Sequence, residues 1–332
     1  MINLKDLVRQ NILTLSPYSS ARDEFEGTEG VLLDANENPF GELNRYPDPY
    51  QKELKQKLSE LNEISEKNIF IGNGSDEVID LAFRIFCNPS NDKALLFSPS
   101  YGMYEVSAAI NDVELLKIPL TKEFQIDISG FNNYLNDSSI KIIFICSPNN
   151  PTGNLINEND IEYILKIFNG IVIIDEAYID FSLSTSWLTN IDKFSNLIVC
   201  QTFSKAWGLA AARVGIAYAN KEIIQFYNKV KPPYNVSELN QKAAINALGN
   251  IAEYNANLQT IIEEKDKLEV AFKGIEIIKK IYPSDANFLL IEVADAHKIY
   301  NELVNQKIIT RNRNNLINNC IRISVGTPNE NQ

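Results

Sequence analysis

Between about residues 68 and 230 the chain alternates short apolar runs with longer amphipathic ones. "NIFIGNG" (68–74), "KALLFSP" (93–99), "VELLKIPL" (113–120), "KIIFICSP" (141–148), "GIVIIDEAY" (170–178), "NLIVCQTFS" (196–204) and "VGIAYAN" (214–220) have the length and apolar content of strands. "SDEVIDLAFRIF" (75–86), "ENDIEYILKIF" (158–168) and "KEIIQFYNKV" (221–230) carry apolar residues at helical spacing. Strands apolar on both faces and alternating with helices predict an α/β fold: an open, mostly parallel seven-stranded sheet between layers of helices. Residues 237–272 are helix-like with no proline and can bridge two domains. "IEIIKKIYP", "NFLLIEV", a helix near 295–305, "KIITRNR" and "CIRISVG" then read as a smaller α+β unit. The predicted organisation is a large domain over 46–235, an interdomain helix over 236–272, and a small domain built from 1–45 and 273–332. "TPNEN" at 327–331 supplies an N-cap, a proline at the first helical position and a capping-box glutamate. It announces a helix of which only the start follows, as in a truncated chain.

Composition narrows the chemistry. The 332 residues are 45% hydrophobic and 22% charged, enough for a large core and for two domains. A formal net charge of -12 argues against nucleic acid or an anionic membrane as a general partner, though not against a local anion site. No apolar run approaches the length of a membrane span, and "MINLKDLVRQNIL" has no signal-peptide core. Cys87, Cys146, Cys200 and Cys320 show no CxxC spacing and read as reduced core residues of a cytoplasmic protein. The single histidine, His297, lies in a charged helical stretch, which disfavours a Ser-His-Asp hydrolase and a multi-histidine metal site; no metal is expected. Lysine is the better candidate for acid–base work, because burial readily lowers its pKa.

In open parallel sheets ligands bind beyond the carboxyl ends of the strands. Four stretches lie there. Gly72-Asn73-Gly74-Ser75-Asp76 opens a helix; it suits a phosphate, or is a tight turn with an N-cap. Ser147-Pro148-Asn149-Asn150-Pro151-Thr152-Gly153 fixes the backbone by two prolines and aims an amide into the crevice, or is a rigid turn. Asp175-Glu176-Ala177-Tyr178 ends an apolar strand. A carboxylate buried there needs a cation or a proton donor, and Lys205 or Arg213 could form the ion pair. The fourth stretch, 201–220, places Lys205 just after a strand and Arg213 eight residues on, across small apolar residues. A lysine, a carboxylate, a phenol, an amide and a phosphate-type helix end form the set that pyridoxal phosphate requires. Its aldehyde needs an amine, its ring nitrogen a carboxylate, its phenolic oxygen donors, and its phosphate N–H groups and a guanidinium.

"SPNNPTG", "DEAY" and the S-K-x-x-G-L-A-x-x-R-x-G pattern of 204–215 resemble the class I/II aminotransferase family of fold-type-I pyridoxal phosphate enzymes. The likeness extends over residues 4–331 through "LTLSPYSSAR" (13–22), "LDANENPFG" (33–41), "RYPDPY" (45–50), "SPSYGMYEVSA" (98–108) and "IRISVGTPNEN" (321–331). The resemblance implies that Lys205 binds the cofactor aldehyde and then shuttles a proton. It implies that Asp175 pairs with the ring nitrogen, that Asn150 and Tyr178 bond the phenolic oxygen, and that Tyr101 stacks on the ring. Gly74, Ser75, Asp76, Ser204 and Arg213 would hold the cofactor phosphate, with Tyr46 reaching it from the neighbouring subunit of a homodimer. Tyr18, Asn150, Arg311 and Arg322 would bind the substrate, a phosphate-bearing amine, with 2-oxoglutarate as acceptor. Three other readings share these residues: a phosphothreonine decarboxylase on the same fold, an aromatic-amino-acid aminotransferase, and a non-catalytic sensor.

Overall fold

The computed structural model describes residues 3–18 and 30–332; part of the expected N-terminal arm, residues 19–29, lies outside them. All seven expected strands form: β1 (Ile69–Asn73), β2 (Lys93–Ser98), β3 (Glu114–Pro119), β4 (Ile140–Cys146), β5 (Ile171–Asp175), β6 (Leu197–Thr202) and β7 (Val214–Ala219). They join in one sheet in the order β1-β7-β6-β5-β4-β2-β3. The run β3-β2-β4-β5-β6 is parallel. β7 is antiparallel to both β6 and β1, so it is the one reversed strand of this sheet. Only eleven residues separate the end of β6 from the start of β7. A parallel return needs a crossover of a dozen or more residues, usually helical, so the short loop carrying Lys205 turns the chain back on itself.

The sheet separates two apolar clusters, as period-two alternation demands. Ile143, Ile145, Val172, Ile174 and Val199 face one of them. Ile142, Phe144, Ile173, Ile198 and Cys200 face the other, where the helix Ser75–Phe86 packs through Val78, Ile79, Ala82, Phe83 and Phe86. The four cysteines are buried and unpaired. The continuous helix expected over 237–272 is two helices, Glu238–Leu248 and Ile251–Lys273, interrupted at Gly249-Asn250. A Gly-Asn pair is a strong helix breaker and explains the interruption.

A second sheet is wholly antiparallel, in the order β10-β11-β9-β8, from β8 (Ile278–Ile281), β9 (Phe288–Val293), β10 (Arg311–Asn312) and β11 (Cys320–Ser324). Leu268 and Phe272 of the helix Ile251–Lys273 and Ile299 of the helix Ala296–Asn305 pack on it. Thr327 and Glu330 form the expected capping box around a single turn, Pro328–Asn331. No described helix is long and apolar enough to cross a membrane.

One close approach fixes the sheet's functional edge. Gly74 (φ +80) precedes the helix Ser75–Phe86, and Gly215 of β7 lies directly against it. A Cβ on Gly215 would fall 2.2 Å from the Gly74 carbonyl carbon and from Ser75 N. Backbone cannot yield as a side chain does. Gly215→Ala should therefore lower stability by about 1–3 kcal/mol, the usual range for overpacking; a thermal unfolding midpoint equal to wild type would show that the approach is looser than described.

Candidate active site

The carboxyl ends of β1, β2, β4, β5 and β6 lie on one edge of the first sheet, beside the start of β7. There a cavity of about 350 Å³ opens, roofed by residues of the second sheet. Ser75, Asp76, Tyr101, Asn150, Asp175, Tyr178, Ser204, Lys205, Arg213, Arg311 and Arg322, all singled out from sequence, line it. A larger hollow of about 640 Å³ beside Trp207 and Tyr254 touches the Lys205 loop but gathers no comparable set of charges.

At one end, Gly74, Ser75 and Arg213 meet. The guanidinium lies where a Gly74 side chain would start, 2.6 Å from the ideal Cβ position. Arg213 adopts the left-handed conformation (φ 51), which turns its side chain back across the helix start. Its Nη2 donates to Asp76 Oδ2 at 3.2 Å, and Tyr101 Oη donates to Asp76 Oδ1 at 3.1 Å. Free N–H groups at a helix start beside a guanidinium make an anion site.

At the centre stand Asp175 and Lys205. The ion pair entertained for Asp175 is absent: Arg213 pairs with Asp76 instead, and no described cation lies within salt-bridge distance of Asp175. Its carboxylate is held by the Tyr104 hydroxyl, which donates to Oδ2 at 2.7 Å, and by Ala177 N–H, 3.1 Å from Oδ1. Burial raises the Asp175 pKa, while those two hydrogen bonds oppose the rise. Tyr104 was not anticipated, although it lies three residues after Tyr101, one helical turn along, and packs edge-on against that ring at 5.6 Å. The Lys205 ammonium lies 5.5 Å from the centre of the Tyr178 ring. Burial first, and the Arg322 charge second, push the Lys205 pKa down, which favours the free amine.

At the other end, Arg322 Nη1 donates to Asn150 Oδ1 at 2.5 Å, and Asn150 Nδ2 reaches Tyr178 Oη at 3.4 Å. Asn149, by contrast, is spent on structure, bonded to Ser100, Pro99 O and Thr152. Arg311 lies opposite Arg322 in the β10–β11 register. Arg313 also faces the cavity and was not anticipated, because nothing in "KIITRNR" sets it apart until the strand pairing is known. Two expected residues are not brought in by this chain. Tyr18 lies in a separate crevice beside Tyr50 and Tyr234, and Tyr46 stacks on Tyr234 at 4.4 Å.

This arrangement has counterparts. Residues 21–332 match the family of aminotransferase class I and II. The histidinol-phosphate aminotransferase of Cytophaga hutchinsonii is 49% identical over 337 residues, spanning 99% of this chain and 97% of that protein. The crystal structure of the histidinol-phosphate aminotransferase from Clostridium acetobutylicum superposes with a TM-score of 0.80 at 27% identity, covering 87% of this chain and 88% of that one. The Sinorhizobium meliloti enzyme, crystallised in complex with pyridoxal-5'-phosphate, shares the fold at a TM-score of 0.78 and 22% identity, covering 90% and 86% of the two chains. The chain belongs to the class I and II aminotransferases, with the fold-type-I architecture of that family. It is a transaminase.

A buried carboxylate kept for chemistry and one kept for stability respond differently to neutralisation. Asp175→Asn should unfold at an unchanged or higher temperature than wild type, since burial opposes the charge it removes, yet lose most transaminase activity. Tyr104→Phe should cost about 1–2 kcal/mol of stability and move the acid limb of activity to higher pH, because one donor that favours the ionised carboxylate is gone. A large drop in midpoint for Asp175→Asn with activity retained would reverse the assignment.

Proposed function

We propose that the protein transfers the amino group of histidinol phosphate to 2-oxoglutarate, using pyridoxal phosphate held in the described cavity. The observation that carries this reading is the layout of the cavity: an amine and an ionisable carboxylate stand between two separate anion-binding ends. The curated relative and the solved structures named above bear the name of that activity.

The residues present fit the cofactor. Beside Gly74 the cavity is lined by Ser75 and Arg213, whose guanidinium lies 2.6 Å from where a Gly74 side chain would start. Ser204 Oγ and the helix start add donors for the cofactor phosphate. The Asp175 carboxylate would hold a proton on the ring nitrogen; Tyr178 and Asn150 would donate to the phenolic oxygen, and Tyr101 would cover the ring. When bound, pyridoxal phosphate supplies the aldehyde that takes the amino group and the ring that accepts the electron pair freed at the substrate carbon.

The chain's own work is positioning and proton transfer. Lys205, its pKa lowered by burial, gives up its proton more readily than a solvated lysine and can carry a proton to and from the substrate carbon. The side chains of Tyr178 and Phe288, packed edge to face at 5.2 Å, close one wall against water. Arg322 and Arg311 would bind the anionic end of the substrate. Tyr46 would complete the cofactor phosphate site of the adjoining subunit in a homodimer, and Tyr18 would join the substrate site.

Lys205→Ala should fold, keep the cofactor only non-covalently and lose transamination. Borohydride reduction followed by peptide mass mapping should label Lys205 in wild type and nothing in the variant. A label on another lysine would overturn the assignment of the amine.

The substrate reading predicts that kcat/KM for histidinol phosphate exceeds that for histidinol by about a hundredfold or more, as loss of charge-assisted hydrogen bonds to a bound dianion implies. A ratio near one would reduce the reading to a general aminotransferase. Release of carbon dioxide from phosphothreonine without 2-oxoglutarate would make the protein a lyase.

A further inference from the structure

Arg313 is the cavity's unexplained charge. It follows β10, and its backbone N–H donates to Cys320 O at 2.9 Å, so the pairing of β10 with β11 runs on through it. Residues two apart on a strand point to the same face, which sets Arg313 beside Arg311, while Arg311 stands opposite Arg322. All three guanidiniums line one end of the cavity. Among the described residues the arginine ion pairs are Arg45–Glu37, Arg84–Asp80 and Arg213–Asp76; none includes these three. Nε of Arg313 and Nε of Arg322 are buried with no hydrogen-bond partner. Buried polar groups are normally satisfied, and like charges this close disfavour one another. The Arg313 pKa is pushed down to about 10, by burial first and then by Arg322 and Arg311. The protein therefore maintains a triple positive charge that nothing described within it neutralises.

A single carboxylate does not account for this. One bidentate arginine satisfies a carboxylate. A phosphate monoester carries close to two negative charges at neutral pH and three acceptor oxygens, which is enough for three guanidiniums. The cofactor phosphate is not the answer, because Arg213 serves the opposite end beside Gly74.

We propose that Arg313 is a specificity-determining residue: with Arg311 and Arg322 it binds the dianionic phosphate of the amine substrate, and it favours that substrate over glutamate, whose carboxylates are single charges. This rests on the function proposed above and adds a residue to it. Arg313 would touch the substrate away from the reacting carbon, so its effect falls on binding.

The test uses the holoenzyme with Arg313→Gln and Arg313→Lys. For Arg313→Gln, KM for histidinol phosphate should rise about tenfold with kcat little changed, the expected loss of one charge-assisted contact, and kcat/KM for glutamate should fall by several-fold less than that for histidinol phosphate. Arg313→Lys should recover part of the loss, since the charge returns without the fork. Without substrate, the unfolding midpoint of Arg313→Gln should equal or exceed that of wild type, because a repelling charge is removed. Equal losses for both substrates with a lowered midpoint would make Arg313 a structural brace and overturn the proposal. If wild type prefers histidinol phosphate over histidinol while Arg313→Gln keeps the wild-type KM, the Arg313 proposal alone fails. If wild type shows no such preference, the underlying function fails and the proposal with it.

Discussion

Asp175 is a carboxylate in the middle of a sheet, 4% exposed, with no described cation within salt-bridge distance. β5 is the central strand of the seven, and in register Asp175 sits between Cys146 of β4 and Cys200 of β6. Burial raises the pKa of both flanking thiols, so they stay neutral and add no competing charge. Their small side chains leave the carboxylate room at the strand end. The Tyr104 hydroxyl then does what a cation would otherwise do, at a distance of 2.7 Å. Tyr104 is itself held flat on Phe144, with ring centres 4.6 Å apart. A hydroxyl donor stabilises the anion without neutralising it. The carboxylate remains available to a cationic group arriving from the cavity side, and the large apolar clusters on both faces of the sheet carry the stability that burying it costs.

The same logic governs the rest of the cavity, where charges are left uncompensated in the direction of the ligand. Asp76 takes up part of the Arg213 charge and part of the Tyr101 hydrogen-bonding capacity, so the end beside Gly74 is tempered. At the opposite end, among the described residues, Arg322 has the neutral Asn150 amide as its one polar side-chain hydrogen-bond partner. Lys205 stands between, and both burial and Arg322 bias it toward the neutral amine. A chain of net charge -12 repels anions at long range, but at physiological salt charges are screened beyond about 8 Å, so the local cations decide what enters.

Strand and helix identities were legible because each apolar run has a length and period that suit one element. The direction of β7 was not legible in its composition: Val214–Ala219 is buried throughout and reads alike in either sense. It was legible in the eleven-residue spacing from β6, a constraint on chain length rather than on side chains. The Gly249-Asn250 break was likewise written in the sequence, and the absence of proline hid it. Asn150 and Tyr178 could be picked out because they flank strand ends inside unusual strings. Tyr104 and Arg313 could not be picked out that way, since their importance comes from partners far along the chain. Tyr104 meets Asp175 across 71 residues. Arg313 gains meaning only when β10 pairs with β11.

A further constraint joins the two sheets at the site. Lys205, Asp175, Tyr178 and Arg213 come from the edge of the first sheet, and the guanidiniums of Arg311, Arg313 and Arg322 come from the second. Their relative position depends on the contact between the sheets, and Phe288 is at its centre. Its ring packs edge to face on Tyr178 at 5.2 Å and lies under the Arg322 guanidinium at 5.1 Å. Phe288 is the first residue of β9, paired with Ser324 two residues beyond Arg322. One buried ring thus fixes the distance between the phenol beside Lys205 and the guanidinium at the far end. Arginine suits this place better than lysine, because a planar guanidinium can stack on the ring and still present its fork to an anion. The spacing between the Tyr178 phenol and the Arg322 guanidinium is therefore braced by an aromatic packing contact that both of them share.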